Sequence, residues 1–136
     1  MRISTVALVA VGMLVSALAS PAAAANPLDG SAPLLCAAMQ VMECDASGCE
    51  RRTAEEVNLP PFFVVDIKQK ALTAVGGDGR KAPIDYFEHE KGRLVLHGGQ
   101  EGRGGSIVVA SDTGKLSASV VDAEATFVVS GACVLR

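Results

Sequence analysis

The chain has 136 residues, of which 49% are hydrophobic and 20% charged, and its formal net charge is −3 at pH 7. This length suits one domain with one core, and the acidic balance with scattered basic residues disfavours nucleic acids and anionic membranes as partners. The sequence has no Trp, one Tyr and four Phe. Such a composition disfavours an aromatic platform for stacking bases or sugars.

Residues 1–25 have the pattern of a secretory signal peptide. Arg2 precedes an apolar run over residues 6–18, and Ala23-Ala24-Ala25 offers a small-x-small cleavage site before Asn26. An apolar run of about 13–15 residues is shorter than the ~20 residues needed to span a bilayer, which disfavours a membrane anchor. We therefore predict that residues 26–136 are exported to the periplasm or secreted as a single, monomeric β domain.

Four cysteines lie in the exported part of the sequence, and an even number favours two disulfides in an oxidising compartment. Of the three possible connectivities, we predict Cys44–Cys49, which closes a short turn, and Cys36–Cys133, which ties the start of the domain to its end. In the loop-entropy model these bonds stabilise the fold by about 2 and about 4.7 kcal/mol. A zinc site or a redox motif would require different spacing, so we predict neither a metal nor a cofactor.

Short segments rich in β-forming residues follow one another from Leu34 onward. The first, Leu34–Cys44, could be a helix on propensity alone, but as a strand it allows Cys44–Cys49 to close a hairpin that returns through Glu50–Thr53. The further predicted strands are Phe62–Ile67, Ala71–Val75, Ile84–His89, Arg93–His97, Ser106–Ser111, Lys115–Val121 and Thr126–Val134. About eight strands predict an all-β fold, either a small antiparallel up-and-down barrel or a coiled meander, with a β-sandwich as the alternative.

Two of the connections are predicted to be three-residue hairpin loops, Glu90-Lys91-Gly92 and Asp112-Thr113-Gly114. The second loop and a turn at Ala123-Glu124 would align three strands on one apolar face. The predicted members of that face are Val108, Ala110, Leu116, Ala118, Val120, Phe127, Val129 and Cys133. Such a barrel either holds one small molecule or is filled by its side chains. Inward Ala110, Ala118 and Gly131 would leave space, whereas Phe and Leu elsewhere would fill it, and the sequence does not decide between the two.

Both histidines, His89 and His97, flank the first of these loops. A three-residue loop would place Asp85, His89 and His97 on one face, as a metal site or an acid–base arrangement. An ordinary solvated sheet face is the favoured interpretation. The core-facing residues of the hairpin would then be Ile84, Tyr86, Leu94 and Leu96. The sequence shows neither a Gly-x-Ser-x-Gly elbow nor an evident carboxylate pair, so we expect a protein that is not an enzyme.

Residues 97–106, His-Gly-Gly-Gln-Glu-Gly-Arg-Gly-Gly-Ser, contain five glycines. A phosphate loop would be followed by a helix, whereas a strand is predicted here. A mobile or bulged crossover is the favoured interpretation, and Arg103 within it is a candidate for recognising an anion or a partner carboxylate. A second exposed loop, Thr53–Pro60, opens with a Thr-x-x-Glu pattern that can cap a single helical turn.

Three stretches, LLCAAMQVMECDASGCERRTAEEVNLP, GRLVLHG and DTGKLSASV, resemble a group of small exported bacterial proteins of unknown function. This resemblance implies a disulfide-pinned β fold and brings no active site with it. The architecture is similar, more loosely, to periplasmic barrels that inhibit lysozymes through a Ser-Gly-x-x-Tyr loop, but the nearest match here, Ser130–Cys133, lacks the tyrosine. We expect a binding module for a small molecule or a protein partner. The alternatives are a structural or envelope-stress protein and an inhibitor of a hydrolase.

Overall fold

The computed structural model describes residues 28–136, so the predicted signal peptide and its cleavage site lie outside the described residues. The described part of the chain forms ten strands and no helix. The strands are β1 (Leu34–Asp45), β2 (Gly48–Arg52), β3 (Phe62–Asp66), β4 (Ala71–Ala74), β5 (Lys81–Pro83), β6 (Tyr86–Glu90), β7 (Arg93–Gln100), β8 (Arg103–Ala110), β9 (Lys115–Val121) and β10 (Thr126–Leu135). Within residues 28–136, nothing helical is long and apolar enough to cross a membrane.

The ten strands form one antiparallel sheet that curls into a half-barrel, which confirms the predicted all-β class. The strand order is β5-β4-β3-β1-β10-β9-β8-β7-β6, and β2 pairs with residues 41–45 of β1. Most sequence neighbours therefore lie side by side, as in an up-and-down barrel, but β2 does not pair with β3, nor β5 with β6, and β1 lies between β3 and β10. The strands number ten instead of about eight: β2 is the predicted return arm of the Cys44–Cys49 hairpin, and the short strand β5 was not predicted.

Both predicted disulfides are confirmed. Cys36–Cys133 joins directly opposed residues of β1 and β10, with an S–S distance of 2.03 Å, and neither half is more than 3% exposed. Cys44–Cys49 closes the β1–β2 hairpin with an S–S distance of 2.05 Å. Residues 34–44 form a strand and not a helix, since they all lie within β1. Two disulfides are consistent with an oxidising, exported environment.

The core is densest at one end of the half-barrel, which we call the packed end. Leu94, Val109 and Leu116 lie opposite one another across β7, β8 and β9, and none is more than 2% exposed. The N-terminal segment covers this end, because the Leu28 N–H donates to the Ser111 carbonyl at 3.1 Å. Burial of these branched side chains contributes to the hydrophobic stabilisation of the fold.

Two hairpin turns differ in length from the prediction. The β6–β7 turn contains only Lys91-Gly92, with φ of 51° and 72°, as a two-residue type I′ turn requires. The β8–β9 turn contains four residues, Ser111–Gly114, and the Gly114 N–H donates to the Ala110 carbonyl at 2.8 Å. Each change shifts the register by one residue and exchanges the two faces, so Val108 and Ala110 face outward while Val109 faces the core. The inward positions that are confirmed are Leu116, Ala118, Val120, Phe127, Val129 and Cys133.

The glycine-rich segment 97–106 is a regular hairpin, so the prediction of a mobile or bulged crossover is wrong. β7 and β8 continue through it with Gly98 opposite Gly105, and Glu101-Gly102 form a two-residue turn with φ of 54° and 79°. Gly98 is needed where β5 passes close to β7, because a Cβ there would overlap the carbonyl oxygen of Pro83. The edge strand β5 therefore passes next to β7 at Gly98.

The loop of residues 53–60 lies at the end of the half-barrel opposite the packed end. Its Thr-x-x-Glu pattern forms the hydrogen bonds of the predicted cap, but they close a turn and not a helix. The Thr53 N–H donates to Glu56 Oε2 at 2.7 Å, and the Glu56 N–H donates to Thr53 Oγ1 at 3.3 Å. The first of these hydrogen bonds is the main cause of a lowered pKa for Glu56. Ala54 and Val57 are 5% and 7% exposed, so the loop is anchored by apolar burial as well.

Candidate functional site

The half-barrel contains an open cavity of about 640 Å³. Seven strands supply its apolar floor, which consists of Ala38, Phe63, Leu72, Leu96, Ile107, Leu116, Ala118, Val120 and Val129. Exposed polar residues mark its mouth: Asn58, Arg80, Gln100 and Glu101. Sites for small molecules are typically concave, mostly apolar and ~300–1,000 Å³ in volume. This cavity is therefore the candidate functional site.

Small inward-facing residues keep the cavity open. Gly98 and Gly105 face each other where β7 and β8 approach their turn, and Ala118 faces inward on the next strand. The prediction that Ala118 leaves space inside is confirmed, since it lines the cavity. The same prediction is wrong for Ala110, which faces outward, and Gly131 leaves no space because a Cβ there would overlap the Ala37 carbonyl.

Arg103, the predicted anion-recognising residue, is held by partners within its own chain. Its Nη1 donates to the Val57 carbonyl at 3.1 Å, and its Nε lies 3.4 Å from Asp122 Oδ2. Its guanidinium carbon also lies 5.1 Å from the centre of the Phe127 ring, within range of a cation–π interaction. Arg103 thus ties the 53–60 loop to β8 and β10, and the carboxylate that it binds is internal.

A second, polar cleft of about 290 Å³ lies on the other side of Arg103. Its lining includes the carboxylates of Glu43, Asp45, Glu56, Asp122 and Glu124. Among the described residues, however, no group of three or more His, Cys, Asp or Glu side chains is disposed to hold a metal ion. Asp122 instead accepts hydrogen bonds at 2.9 Å from the backbone N–H groups of Glu124 and Ala125, which lower its pKa.

The predicted shared face of Asp85, His89 and His97 is wrong. With a two-residue turn, His89 lies opposite Leu94, whereas His97 lies opposite Tyr86. The two histidines consequently lie on opposite faces of the sheet. Asp85 and His97 are linked through their backbones, since the Asp85 N–H donates to the His97 carbonyl at 2.9 Å.

The same shift in register turns Tyr86 outward, where it is 51% exposed and its ring centre lies 5.7 Å from that of His97. The Tyr86 hydroxyl donates to Glu88 Oε2 at 2.8 Å, which raises the tyrosine pKa. The other residues predicted to face the core, Ile84, Leu94 and Leu96, are at most 3% exposed.

Each histidine is hydrogen-bonded to a serine, which is the pairing that nucleophilic catalysis uses. His89 Nε2 lies 2.9 Å from Ser111 Oγ, and His97 Nδ1 lies 2.8 Å from Ser106 Oγ. Ser111 is 8% exposed and lies under the N-terminal segment, which leaves a substrate little access. His97 and Ser106 line the cavity, but strand alternation turns their side chains to the outer face, since Leu96 and Ile107 beside them face inward. Neither pair thus presents its hydroxyl to the cavity.

The outer face of the sheet carries exposed apolar side chains around β3, β1 and β10. They are Met39, Phe62, Val75, Val128 and Val134, all between 49% and 71% exposed. Met39 occupies an irregularity in the β1–β10 register, between Ala38 and Gln40, which turns its side chain out of the core. Exposed apolar patches are typical of surfaces that contact other molecules.

Residue patterns alone did not identify the mouth of the cavity. The signal that could have located it is the run of small inward residues, Gly98, Gly105 and Ala118, but that run is recognisable only once the turn lengths are known. The cavity, its mouth and the outer apolar face are the features from which a function can be inferred.

No family model matches the chain, and neither a curated protein nor a solved structure matches it.

Proposed function

We propose that the protein is a non-enzymatic binding module that holds one small, largely apolar molecule in the cavity of its half-barrel. The observation that carries the proposal is the 640 Å³ cavity with an apolar floor drawn from seven strands and a polar mouth. An apolar body would lose water contact on entering, at a gain of roughly 25 cal/mol for each Å² of apolar surface buried.

The sheet is suited to this role because its walls are fixed. The Cys36–Cys133 disulfide and the β1–β10 pairing hold the back of the half-barrel together, and Arg103 secures the loop that borders the mouth. A preformed site loses little conformational entropy when a ligand binds. The two disulfides and the signal-peptide pattern further support a location in the periplasm or outside the cell.

A neutral fluorescent probe tests the proposal directly. N-phenyl-1-naphthylamine is apolar and uncharged, and its fluorescence increases when it leaves water. We expect saturable binding to the oxidised, exported domain with one site per chain. Ala118→Phe places a large side chain on the cavity floor and should weaken binding by at least about tenfold, because it removes the volume that the probe needs.

Ser117→Phe is the matched control, since Ser117 is the exposed neighbour of Ala118 on the same strand and faces outward. This variant gains the same ring outside the cavity and should bind the probe as the wild type does. Equal loss of binding in both variants, or no saturable binding in the wild type, would contradict the proposal.

A further inference from the structure

The mouth of the cavity has an uneven distribution of charge. The residues that line it include three cationic ones, Arg80, Lys81 and Arg103, and one acidic one, Glu101. The whole chain is acidic, with a net charge of −3, so this excess of positive charge is local. The positive charge of Arg103 is already balanced by Asp122 at 3.4 Å, which leaves Arg80 and Lys81 to act on a bound molecule.

Strand alternation separates the two remaining cations. The Ala74 N–H donates to the Arg80 carbonyl at 2.8 Å, so Arg80 continues the β4–β5 pairing opposite Ala74, which lines the cavity. Directly opposed residues share a face, and Arg80 therefore lies on the cavity side. Lys81 lies opposite Thr73, the neighbour of inward-facing Leu72, so its side chain belongs to the outer face.

Partners of its own chain engage Arg80 only weakly. Its Nε lies 3.5 Å from Asp78 Oδ1, and both side chains are well exposed, at 44% and 67%. An exposed ion pair of this kind contributes ~0–1 kcal/mol, so a ligand group can compete for the guanidinium. Gln100, across the mouth, stands at an inward position opposite Arg103 and offers an amide donor.

Resting on the function proposed above, we infer that the ligand is an amphiphile with an apolar chain and a single carboxylate head. The chain lies on the floor formed by Leu72, Ile107 and Ala118, and the head lies at Arg80. A planar guanidinium matches a carboxylate through two parallel hydrogen bonds. The carboxylate-rich second cleft lies beyond Arg103, and its charges repel an anionic head from that side.

Displacement of N-phenyl-1-naphthylamine by dodecanoate and by dodecanol, both below the concentrations at which they aggregate, tests the head group. The two competitors share one chain and differ in charge. We expect dodecanoate to displace the probe from the wild type at about fivefold lower concentration, the ratio that one exposed ion pair supplies. The preference should shrink at high salt.

Arg80→Gln should abolish the preference for dodecanoate while leaving displacement by dodecanol within about twofold. Lys81→Gln removes the same charge from the adjacent, outward-facing position and should keep most of the preference. If dodecanol and dodecanoate compete equally in the wild type, or if Arg80→Gln and Lys81→Gln behave alike, the inference is wrong although the binding module stands. If the neutral probe itself fails to bind, the proposed function fails first and the inference fails with it.

Discussion

The two ends of the same three strands differ in what their inward positions hold. At the packed end, Leu94, Val109 and Leu116 form a row across β7, β8 and β9 and are at most 2% exposed. Four residues further along β7 and β8, Gly98 faces Gly105 at the wall of an open cavity. The backbone pairing is equally regular in both places, so the inward side chains of β7 and β8 distinguish the filled core from the cavity wall. On β9, Leu116 borders both regions, since it also lines the cavity.

This difference indicates how a small sheet can combine stability with an internal cavity. A filled row gains both transfer free energy and close packing, whereas the opposed glycines of β7 and β8 give up both and leave room for a ligand. The cavity therefore depends on stability supplied elsewhere, by the packed end and by the buried Cys36–Cys133 bond. Substitutions at the two ends should accordingly have unequal effects.

The largest difference is expected between two leucines truncated to alanine. Leu94 is fully buried at the packed end, whereas Leu72 is partly exposed and lines the cavity. Leu94→Ala should lower the free energy of unfolding by about 3–5 kcal/mol, because it creates a new void, and Leu72→Ala should lower it by about 2 kcal/mol or less. Urea unfolding of the oxidised domain measures both, and equal losses would remove the distinction between the two ends.

A smaller loss of stability is expected from substitution at Gly98, where β5 passes next to β7. A Cβ at Gly98 would overlap the Pro83 carbonyl oxygen, a backbone atom that cannot rotate away, while a Cβ at Gly104 would meet no atom within 4 Å. Gly98→Ala should therefore destabilise the domain by about 1–3 kcal/mol, and Gly104→Ala should change its stability by no more than about 0.5 kcal/mol. Thermal unfolding of the two variants measures the difference. If Gly98→Ala were as stable as the wild type, the close contact between β5 and β7 would not contribute to the stability of the domain.

Most of the fold follows from sequence patterns, because cysteine number, β-forming segments and their spacing all indicate a small disulfide-pinned sheet. The disulfides Cys36–Cys133 and Cys44–Cys49 and the strand at residues 34–44 are examples. The inward positions of β9 and β10 were also predictable, since their apolar residues alternate with polar ones across a short turn.

The candidate site was far less predictable, because it depends on turn lengths that differ from expectation by a single residue. A two-residue turn at Lys91-Gly92 separates His89 from His97, and a four-residue turn at Ser111–Gly114 exchanges Val108 for Val109 at the core. Both turn lengths are compatible with the residues at such positions, so the sequence pattern does not select between them. At Ser111–Gly114 the observed turn also receives a long-range hydrogen bond, from the Leu28 N–H to the Ser111 carbonyl. Arg80 was missed for a related reason, since its inward position follows from pairing with Ala74.

The smallest effect is expected from Asp122, at the turn beside Arg103. Its pKa lies below the ordinary value because the backbone N–H groups of Glu124 and Ala125 donate to its carboxylate, with a lesser contribution from Arg103. A lowered pKa in the folded state stabilises the fold at pH values above about 4, and this stabilisation is lost as the pH falls through the folded pKa. Asp122→Asn keeps a neutral acceptor for the N–H groups and removes the charge, so it should lower the free energy of unfolding slightly at pH 7 and not at pH 2. Urea titrations at the two pH values provide the comparison, and an equal difference at both would mean that the loss comes from replacing a carboxyl oxygen by an amide NH2 group and not from removing the charge.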